Sequence, residues 1–283
     1  MKNSKIVNIG ITGSTGVLGK KLINELRKFD LKIFKGDISA KKDVFDWINN
    51  NDLDGLIHFA AVVPTINVLK NKKKSYQINY MGTKYLVEAL KNKKKKIWFF
   101  FASSSHVYSF SKRKVNEKSV IKPISYYGVL KRKCEVYLLN NRSHLDICIG
   151  RIFSFTDPKQ DRSFFVPSIF NKIKKNQKYL YGELNKEVRD FVSTKDIVKI
   201  IKNLLEIRFL GIINICSGQG VSLFKIYSII SNLLNKSNTS KNHFDKKNIL
   251  IGDNSKIVKM GYKYKDNINK IIKNYVKINK LYK

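Results

Sequence analysis

Cysteine, proline and acidic residues are scarce in this chain, and these shortages exclude several kinds of protein. Its 283 residues include three cysteines and four prolines, and 21 acidic residues stand against 56 basic ones. The widely separated Cys134, Cys148 and Cys216 fit neither a disulfide framework nor a zinc site, and the four histidines lack metal-ligand spacing. We therefore expect a cytoplasmic protein with reduced thiols and no bound metal.

Long hydrophobic runs are also missing. No stretch approaches the roughly 20 apolar residues that a membrane-spanning helix needs. The apolar run near the N-terminus is short and is broken by Gly10 and Gly13, so it indicates a first β-strand rather than a signal peptide. A chain of this length can still bury a substantial core, and no linker or internal repeat divides it.

The formal net charge of +35 permits two interpretations. A basic excess of this size can bind phosphate backbones, which would indicate a nucleic-acid-binding protein. However, only eight of the 56 basic residues are arginines, and the other 48 are lysines spread along the chain. The densest lysine runs, 72–74 and 93–96, fall at predicted loops or helix ends, and no nucleic-acid motif accompanies them. We interpret the lysines as a compositional bias whose field attracts anionic substrates, and we expect no specific nucleic acid and no membrane as partner.

Short apolar segments alternate with segments of helical periodicity along the chain. Strands are predicted at 6–11, 31–36, 55–60, 97–102, 145–151 and 211–216. This alternation is typical of an α/β protein in which helices cover both faces of a parallel sheet. We expect a Rossmann-type doubly wound parallel sheet that binds its ligand at the carboxyl ends of the strands, with a smaller C-terminal portion.

A glycine-rich turn follows the first predicted strand and precedes a predicted helix. In this setting Gly13 permits the tight turn, Gly16 lets the backbone approach a pyrophosphate, and Gly19 lets the helix pack closely. A P-loop is excluded, because Lys21 replaces the Ser or Thr that would hold magnesium. The predicted dinucleotide-binding residues of the turn are Gly13, Thr15, Gly16, Val17, Leu18 and Gly19.

Tyr127 and Lys131 are four residues apart in a predicted helix, which places both side chains on one face. A free phenol has a pKa near ~10, and a nearby ammonium lowers that value. Tyr127 is therefore a candidate general acid or base. An isolated pair of this kind is also typical of a solvated helix edge, so its interpretation depends on the glycine turn and on the serine cluster at 103–105.

Taken together, these motifs resemble the extended short-chain dehydrogenase/reductases, the NAD-dependent epimerase/dehydratase group that acts on nucleotide sugars. The segments that carry the resemblance run nearly end to end: the glycine turn, Gly36-Asp37-Ile38, Leu56-Ile57-His58-Phe59-Ala60-Ala61, Asn79-Tyr80-Met81-Gly82-Thr83, Phe101-Ala102-Ser103-Ser104-Ser105-His106-Val107-Tyr108, Tyr127-Gly128-Val129-Leu130-Lys131 with Glu135, Gly150-Arg151-Ile152-Phe153, Val188-Arg189-Asp190-Phe191-Val192, Asn214-Ile215-Cys216-Ser217-Gly218, and Asp253-Asn254-Ser255-Lys256 before Met260-Gly261-Tyr262. The resemblance implies an NAD(P)-dependent enzyme of cell-surface polysaccharide biosynthesis, with a nucleotide-sugar substrate. It also implies a homodimer formed by helices that flank the Tyr127 segment.

The resemblance assigns roles to single residues. Ser104, four residues before Tyr108, would hydrogen-bond the reacting hydroxyl or carbonyl group. Tyr127 would exchange a proton with that group, and Lys131 would lower the pKa of the tyrosine and bind the nicotinamide ribose. Asn79 would lie near the cofactor, although an Asn before a helix is also an ordinary N-cap. The other cofactor residues that the resemblance implies outside the glycine turn are Asp37, Ile38, Phe59, Ala60 and Ala61.

A division into two parts also follows from the resemblance. Residues 1–151 would form the NAD(P)-binding Rossmann domain, with its sheet completed by about 190–216. Residues 152–190 and 217–283 would form the substrate-binding portion. Cofactor and substrate would then share one cleft at the carboxyl ends of the strands.

Three residues are candidates for substrate binding outside the Rossmann domain. Arg189 resembles the family arginine that contacts the substrate diphosphate, a role suited to guanidinium geometry, and a structural ion pair is its alternative interpretation. Ser154 stands where many epimerases have Asn. Tyr181 could stack on a nucleobase or pack in the core.

The reaction type is narrowed by the residues after Ser104. The related sugar 4,6-dehydratases carry an Asp-Glu pair there, whereas this chain has Ser105 and His106, which disfavours dehydration. An epimerase and a ketoreductase remain, both with hydride transfer at a sugar carbon such as C4. The resemblance implies that His106 contacts the substrate, since some family members with epimerase-reductase activity have an acid or base at this position, and His titrates near neutrality. The alternative interpretation is a His that only packs or hydrogen-bonds at the pocket wall. The alternative class is a non-enzymatic NAD(P)-binding regulatory protein.

The choice between NAD and NADP depends on Asp37, which follows Gly19 by 18 positions. This interval is one strand and one helix shorter than is usual in the family. Asp37 could hold the adenosine ribose, which would favour NAD slightly. Alternatively it is the family's GD[IL] aspartate beside the adenine, in which case no ribose-binding carboxylate remains and Lys35 could accommodate a phosphate.

Overall fold

The computed structural model describes residues 6–177, 184, 186–236 and 247–281. Tyr181 lies outside this part of the chain. The fold divides into two compact units. The first unit comprises Met1–Tyr108, Ile121–Ile152 and Ile197–Ile213, and the second comprises Ser109–Val120, Phe153–Asp196 and Asn214–Lys283.

The regular elements alternate between strands and helices, as the sequence pattern predicts. The strands are β1 (Asn8–Thr12), β2 (Asp30–Ile33), β3 (Gly55–His58), β4 (Ile97–Ser104), β5 (Leu145–Ile152), β6 (Glu187–Asp190), β7 (Gly211–Ile215), β8 (Gly220–Ser222) and β9 (Asn248–Leu250). The α-helices in the described ranges are α1 (Val17–Glu25), α2 (Lys41–Asn49), α3 (Thr65–Lys70), α4 (Lys72–Tyr76), α5 (Gly82–Lys91), α6 (Tyr126–Leu139), α7 (Phe165–Lys174), α8 (Thr194–Glu206), α9 (Leu223–Leu233), α10 (Ser255–Lys259) and α11 (Ile268–Leu281). A π-helical turn, Gln77–Met81, joins α4 to α5, and a 3₁₀ turn, Ser105–Val107, follows β4.

The larger sheet has six strands in the order β2-β1-β3-β4-β5-β7, and the pairs among β1 to β5 are parallel. The chain leaves β1 for β2 on one side and continues to β3 on the other. In such sheets the crevice at this reversal, outside the carboxyl ends of the strands, binds the ligand. Each predicted strand overlaps one strand of this sheet, and the Rossmann-type α/β fold is confirmed.

Strand β4 is buried along its whole length, which explains its continuous hydrophobic run. The aromatic side chains of residues 98–101 alternate between the two faces of the sheet and are fully buried. The polar end of the strand, Ser103 and Ser104, therefore reaches the carboxyl edge of the sheet. This edge carries the candidate site.

The second unit has its own small sheet, in the order β8-β6-β9. Strand β6 pairs antiparallel with β8 and parallel with β9. Helices α7, α9 and α11 form a hydrophobic core in this unit, in which the rings of Phe170 and Tyr275 meet edge to face, 5.6 Å apart.

Two expectations from composition concern the described part of the chain. There, no helix combines the length and the apolar character needed to cross a bilayer. Nor do three or more His, Cys, Asp or Glu side chains cluster there as a metal-binding group. The three cysteines are buried and form no disulfide.

Candidate active site

The glycine turn leaves the carboxyl end of β1 and leads into α1. Gly13 has a φ of +72°, and a Cβ atom at this position would lie 2.5 Å from the amide nitrogen of Ala60. A Cβ atom at Gly19 would overlap the carbonyl oxygen of Gly13. Only glycine fits these two positions without strain. The turn is therefore a cradle of bare backbone at a helix N-terminus, an arrangement that suits the pyrophosphate of a dinucleotide.

A buried chain of hydrogen bonds joins Thr12, His58 and Thr83 beside this turn. The Thr83 hydroxyl donates to the carbonyl of Asn79 (2.9 Å), so it accepts from His58 Nε2 (3.0 Å). His58 Nδ1 then accepts from the Thr12 hydroxyl (2.6 Å), which itself accepts the amide of Ala60 (3.4 Å). Burial, aided by a nearby positive charge, lowers the pKa of His58 to about 3. The neutral imidazole thus fastens the ends of β1 and β3 to α5.

Asn79 lies in the π-helical turn and is almost fully buried. Its Oδ1 accepts the amide of Val62 (2.6 Å), and its Nδ2 donates to the carbonyl of Val62 (3.2 Å). The side chain therefore does not act as a helix N-cap, which was the alternative from the sequence. It fixes the segment after β3, where the backbone of Phe59 and Ala60 packs against Gly13. A π-turn at a site of this kind is a common device for positioning functional groups.

Helix α6 carries Tyr127 and Lys131 and begins beside the end of β4. The Ser125 hydroxyl caps the helix by accepting the amide of Gly128 (3.1 Å). A Cβ atom at Gly128 would overlap the carbonyl oxygen of His106, so this glycine lets α6 approach the 3₁₀ turn closely. The rings of His106 and Tyr127 meet edge to face, with centroids 6.0 Å apart.

Lys131 is buried against β4. Its Nζ donates to the carbonyl of Ala102 (2.7 Å) and lies 5.7 Å from the ring centre of Tyr127 and 4.6 Å from that of Phe101. Burial lowers the pKa of Lys131 to about 8, so the ammonium keeps its charge at neutral pH. Its field also contributes to the low pKa of His58.

The pKa of Tyr127 shifts in the direction opposite to the sequence-based expectation. Burial raises the pKa of this half-buried phenol above its ordinary value. Lys131 donates to a backbone carbonyl instead of to the phenol, and its field does not outweigh the penalty that a low-dielectric environment places on a phenolate. The protonated phenol, the acid form of the predicted acid/base group, is therefore dominant at neutral pH.

Ser104 ends β4 and is 7% exposed. Its Oγ accepts the amide of His106 (3.2 Å), which leaves its own hydroxyl proton for donation. His106 Nδ1 lies 2.9 Å from Ser125 Oγ, and this contact ties the 3₁₀ turn to the start of α6. Ser104, Tyr127 and Lys131 thus come together at the carboxyl end of β4, two strands along the sheet from the glycine turn.

A buried ion pair, to which the sequence alone assigned no role, fixes α6 to the sheet. Arg151 donates from Nε and Nη2 to the two oxygens of Glu135, both at 2.9 Å. Ser103 donates to the same carboxylate (2.6 Å), and Arg151 Nη1 donates to the Tyr108 hydroxyl (2.9 Å). Although burial opposes its charge, the Glu135 carboxylate holds the pKa of Arg151 above its ordinary value. Because Glu135 follows Lys131 by one helical turn, the pair sets the position of the predicted catalytic face.

Sequence reasoning missed two further positioning groups. The role of Ser125 could have been predicted from the sequence, because a serine directly before a helical segment is a preferred N-cap. The partners of His58 had no such signal, since Thr12 and Thr83 are 46 and 25 residues away along the chain.

Asp37 is exposed in the loop between β2 and α2. Its Oδ1 accepts both the hydroxyl (2.7 Å) and the amide (2.8 Å) of Ser39, and these bonds hold the pKa of Asp37 below its ordinary value. Asp43 closes the loop from the other side, because its carboxylate accepts the amide of Asp37 (2.8 Å). The next residue, Ile38, is buried against Gly82 at the start of α5.

Arg189 and Ser154 lie in the second unit. The guanidinium of Arg189 donates to Glu187 (2.7 Å) and to the carbonyls of Val188 (3.0 Å) and Asn248 (2.6 Å). These contacts use three of its five N–H groups, as the alternative structural ion pair would, and in the described part of the chain they leave two N–H groups for the predicted substrate contact. Ser154 pairs with Phe191 in an isolated β-bridge.

Replacing Lys131 by methionine should stabilise the fold while removing a predicted catalytic group. At 1.36 kcal/mol per pKa unit, keeping the buried ammonium charged costs about 3 kcal/mol at neutral pH. Loss of the hydrogen bond to Ala102 offsets about 1–2 kcal/mol of this gain. We expect the variant to be more stable by about 1–2 kcal/mol in urea unfolding at pH 7.

The pH dependence of the stability difference between the wild type and Lys131→Met tests whether the buried charge of Lys131 causes it. The pKa of Lys131 is lower in the folded than in the unfolded chain, so between about 8 and 10.5 the unfolded chain binds more protons and wild-type stability rises with pH. The advantage of the methionine variant should therefore shrink from pH 7 to pH 10. The exposed Lys133 on the same helix, replaced by methionine, is the matched control and should show no such trend. A less stable Lys131→Met variant at pH 7 would contradict this prediction.

Comparisons with known proteins agree with this geometry. The chain matches a family model described as GDP-mannose 4,6 dehydratase over residues 12–279. It is 27% identical over 238 residues to GDP-6-deoxy-D-talose 4-dehydrogenase from Aggregatibacter actinomycetemcomitans, with 79% of each chain covered. It resembles the crystal structure of UDP-glucose 4-epimerase from Thermus thermophilus in complex with NAD, with a TM-score of 0.85, 18% identity and 96% and 98% of the two chains covered. It also resembles the structure of RMD from Pseudomonas aeruginosa complexed with NADPH, with a TM-score of 0.81, 21% identity and the same coverage.

Fold and motifs together define an extended short-chain dehydrogenase/reductase. Because the family model spans nearly the whole sequence, the chain belongs to the GDP-mannose 4,6 dehydratase family, within the NAD-dependent epimerase/dehydratase group, and it is an enzyme of that class. The family resemblance noted in the sequence is thereby confirmed.

Proposed function

We propose that this enzyme is an NAD(P)-dependent nucleotide-sugar epimerase or ketoreductase that transfers hydride reversibly at C4 of the sugar. The observation that carries the proposal is the meeting of Ser104, Tyr127 and Lys131 at the carboxyl end of β4, beside a glycine cradle at the end of β1. Position 4 is supported by the names of the relatives, a 4-dehydrogenase and a 4-epimerase.

The glycine cradle supports a dinucleotide cofactor. Gly13 and Gly19 exclude side chains from the turn, and the N-terminus of α1 faces the place where a pyrophosphate would lie. Residues 59–61 and Asn79 would border it along the edge of β3. When bound, the nicotinamide cofactor supplies or accepts the hydride. The structural neighbours with NAD and NADPH support both forms of it.

Three side chains would carry out the proton transfer that accompanies hydride transfer. Tyr127, protonated at neutral pH, would donate its proton to the oxygen of a sugar carbonyl or recover it from the corresponding hydroxyl. The hydroxyl of Ser104, whose oxygen accepts the amide of His106, would donate a hydrogen bond to the same oxygen. The cation of Lys131 would stabilise the phenolate that remains after proton donation.

Dehydration is disfavoured by the residues that follow Ser104. Water elimination needs a further acid and base, and Ser105 and His106 provide no carboxylate at these two positions. His106 borders Tyr127 edge-on and would contact the substrate from the wall of the site. The two remaining reactions, epimerisation and ketoreduction, both require only the groups described above.

The substrate and the assembly are further parts of the proposal. Arg189 would contact the substrate diphosphate through the two N–H groups that its three protein contacts leave, with Ser154 as a second substrate residue. A homodimer through α6 is supported by Val129 and Val136. These side chains are 40% and 41% exposed and lie two turns apart on one face of the helix.

A panel of nucleotide sugars tests the reaction. Purified protein is incubated with UDP-, GDP-, dTDP- and CDP-sugars and their 4-keto forms, while products and nicotinamide absorbance are followed. We expect conversion of at least one nucleotide class. Redox-neutral isomerisation would identify an epimerase, and net consumption of NAD(P)H a ketoreductase. Conversion of none of these sugars by folded protein that still binds a dinucleotide would overturn the proposal.

A further inference from the structure

The ammonium of Lys131 is buried, and its one hydrogen bond among the described contacts goes to a neutral group. The residue is 3% exposed, and its Nζ donates to the carbonyl of Ala102 (2.7 Å). A buried charge is costly unless other partners replace the water that it has lost. An ammonium has three donors, so one carbonyl replaces only part of its hydration.

Four titratable groups interact with this ammonium. Tyr127, Cys134 and Glu135 are on α6 itself, and His58 ends β3. At neutral pH His58 and Tyr127 are uncharged, and Cys134 is uncharged too, because burial raises the pKa of its thiol to about 11. The Glu135 carboxylate is therefore the one anion of this set.

The charge of Glu135 is already shared between two arginines. Its two oxygens accept from Arg151, both at 2.9 Å, and one of them also accepts from Arg132 (3.1 Å). Two guanidinium groups thus match this carboxylate before Lys131 does. The buried ammonium therefore depends on neutral groups for further stabilisation.

The ring of Phe101 is such a group. Lys131 Nζ lies over this ring, 4.6 Å from its centre, and the ring is fully buried. The face of an aromatic ring carries partial negative charge and attracts a cation within about 6 Å, most strongly where water is excluded. Phe101 directly precedes Ala102 on β4, so one short segment of this strand holds the ammonium with both a ring face and a carbonyl.

We propose that Phe101 is a positioning residue whose ring face keeps the Lys131 ammonium charged and in place beside Tyr127. The ammonium lies 5.7 Å from the centre of the Tyr127 ring. The effect on turnover rests on the proposed function, in which this cation stabilises the phenolate of Tyr127. The interaction between Phe101 and Lys131 can be measured without a substrate.

Phe99 is the matched control. It precedes Phe101 by two residues on β4, so both rings lie on one face of the sheet, and both are fully buried. Both rings also meet the ring of His58, at 6.2 Å and 5.9 Å between centres. In the described contacts only Phe101 of this pair touches Lys131. Phe99→Leu and Phe101→Leu therefore make the same change in the same layer of the core.

A double-mutant cycle in urea at pH 6 measures the interaction. Lys131→Met is introduced into the wild type, into Phe101→Leu and into Phe99→Leu. We expect it to lower the unfolding equilibrium constant about tenfold more in Phe101→Leu than in the wild type, because the ammonium there has lost the ring face. In Phe99→Leu its effect should equal that in the wild type. If Phe101→Leu does not fold, Phe101→Met, which is also apolar and has no ring, replaces it in the cycle.

The same cycle at pH 10 separates charge from packing. Burial lowers the pKa of Lys131 to about 8, so at pH 10 the folded chain carries a neutral amine. A neutral amine lacks the charge that the ring face attracts. The tenfold excess in Phe101→Leu should therefore disappear at pH 10, whereas an excess caused by packing would persist.

The pH dependence of turnover is a second readout. With the sugar identified by the panel, kcat should fall as pH rises through the pKa of Lys131, because the phenolate of Tyr127 loses its cation. In Phe101→Leu the midpoint of this fall should lie about one pH unit lower than in the wild type. Phe99→Leu should keep the wild-type midpoint.

Three results would overturn the inference: no excess in Phe101→Leu at pH 6, an excess that persists at pH 10, or an equal excess in Phe99→Leu. These outcomes are distinct from that of the sugar panel. A protein that shows the excess at pH 6 alone and converts no nucleotide sugar would retain the role of Phe101 and lose the proposed reaction. A protein that converts a sugar with the same midpoint in Phe101→Leu and the wild type would keep the reaction and lose the role of Phe101.

Discussion

Replacing Tyr127 by phenylalanine should reduce turnover by about 10²–10⁴-fold and leave dinucleotide binding unchanged. The substitution removes only the hydroxyl group, while the ring keeps its edge-to-face contact with His106 and its place beside Lys131. Without the phenol, the proposed mechanism loses the group that gives the proton to the sugar oxygen. The experiment compares kcat on the sugar identified by the panel with the dissociation constant for the cofactor.

The neighbouring residue is a matched control. Tyr126 precedes Tyr127 on α6, and the ammonium of Lys72 lies 5.5 Å from the centre of its ring. Tyr126→Phe removes the same atom from the same turn of helix and should keep the wild-type rate. Full activity in Tyr127→Phe, or an equal loss in both variants, would refute the acid/base assignment.

Replacing Arg151 by methionine should destabilise the protein by about 3 kcal/mol, the lower end of the range for a broken buried ion pair. The buried carboxylate of Glu135 would lose its bidentate partner and keep Arg132 (3.1 Å) as its one cationic partner among the described contacts, and the Tyr108 hydroxyl would lose a donor. Thermal and urea unfolding measure the loss. Because Glu135 holds α6 against the sheet through Ser103 as well, activity should fall together with stability.

A double variant and a surface ion pair test whether the burial of the two charges causes the loss of stability. Glu135→Leu combined with Arg151→Met removes both charges and should recover much of the loss, since apolar residues can replace a buried ion pair. The partly exposed pair of Arg208 with Asp146 (3.2 Å) is the comparison, and Arg208→Ala should cost less than about 1 kcal/mol. A loss in Arg151→Met no larger than that in Arg208→Ala would contradict the prediction.

The sheet and the glycine turn could be predicted from the sequence because their signals are local. Hydrophobic runs between helical segments indicated the strands, and the spacing of Gly13, Gly16 and Gly19 indicated a turn into a helix. The spacing of Tyr127 and Lys131 likewise placed both on one face of α6. Each of these inferences needed only neighbouring residues.

The contacts that hold the site together could not be predicted in this way. The partners of His58 come from β1 and α5. Two partners of Glu135, Ser103 and Arg151, come from β4 and β5, so these contacts depend on the packed fold. The direction of the pKa shift of Tyr127 also depends on packing. From the spacing we expected the charge of Lys131 to lower the pKa of Tyr127, whereas burial in the fold has the larger effect and raises it.

Strand β2 forms one border of the six-stranded sheet, and its outer side faces no other strand in the described part of the chain. Such a border is a template for the addition of a foreign strand, and hence for aggregation. Here it is only four residues long and carries the charged side chains of Asp30 and Lys32. The short length of β2 and its charged side chains therefore both oppose edge-to-edge pairing of this sheet with another chain.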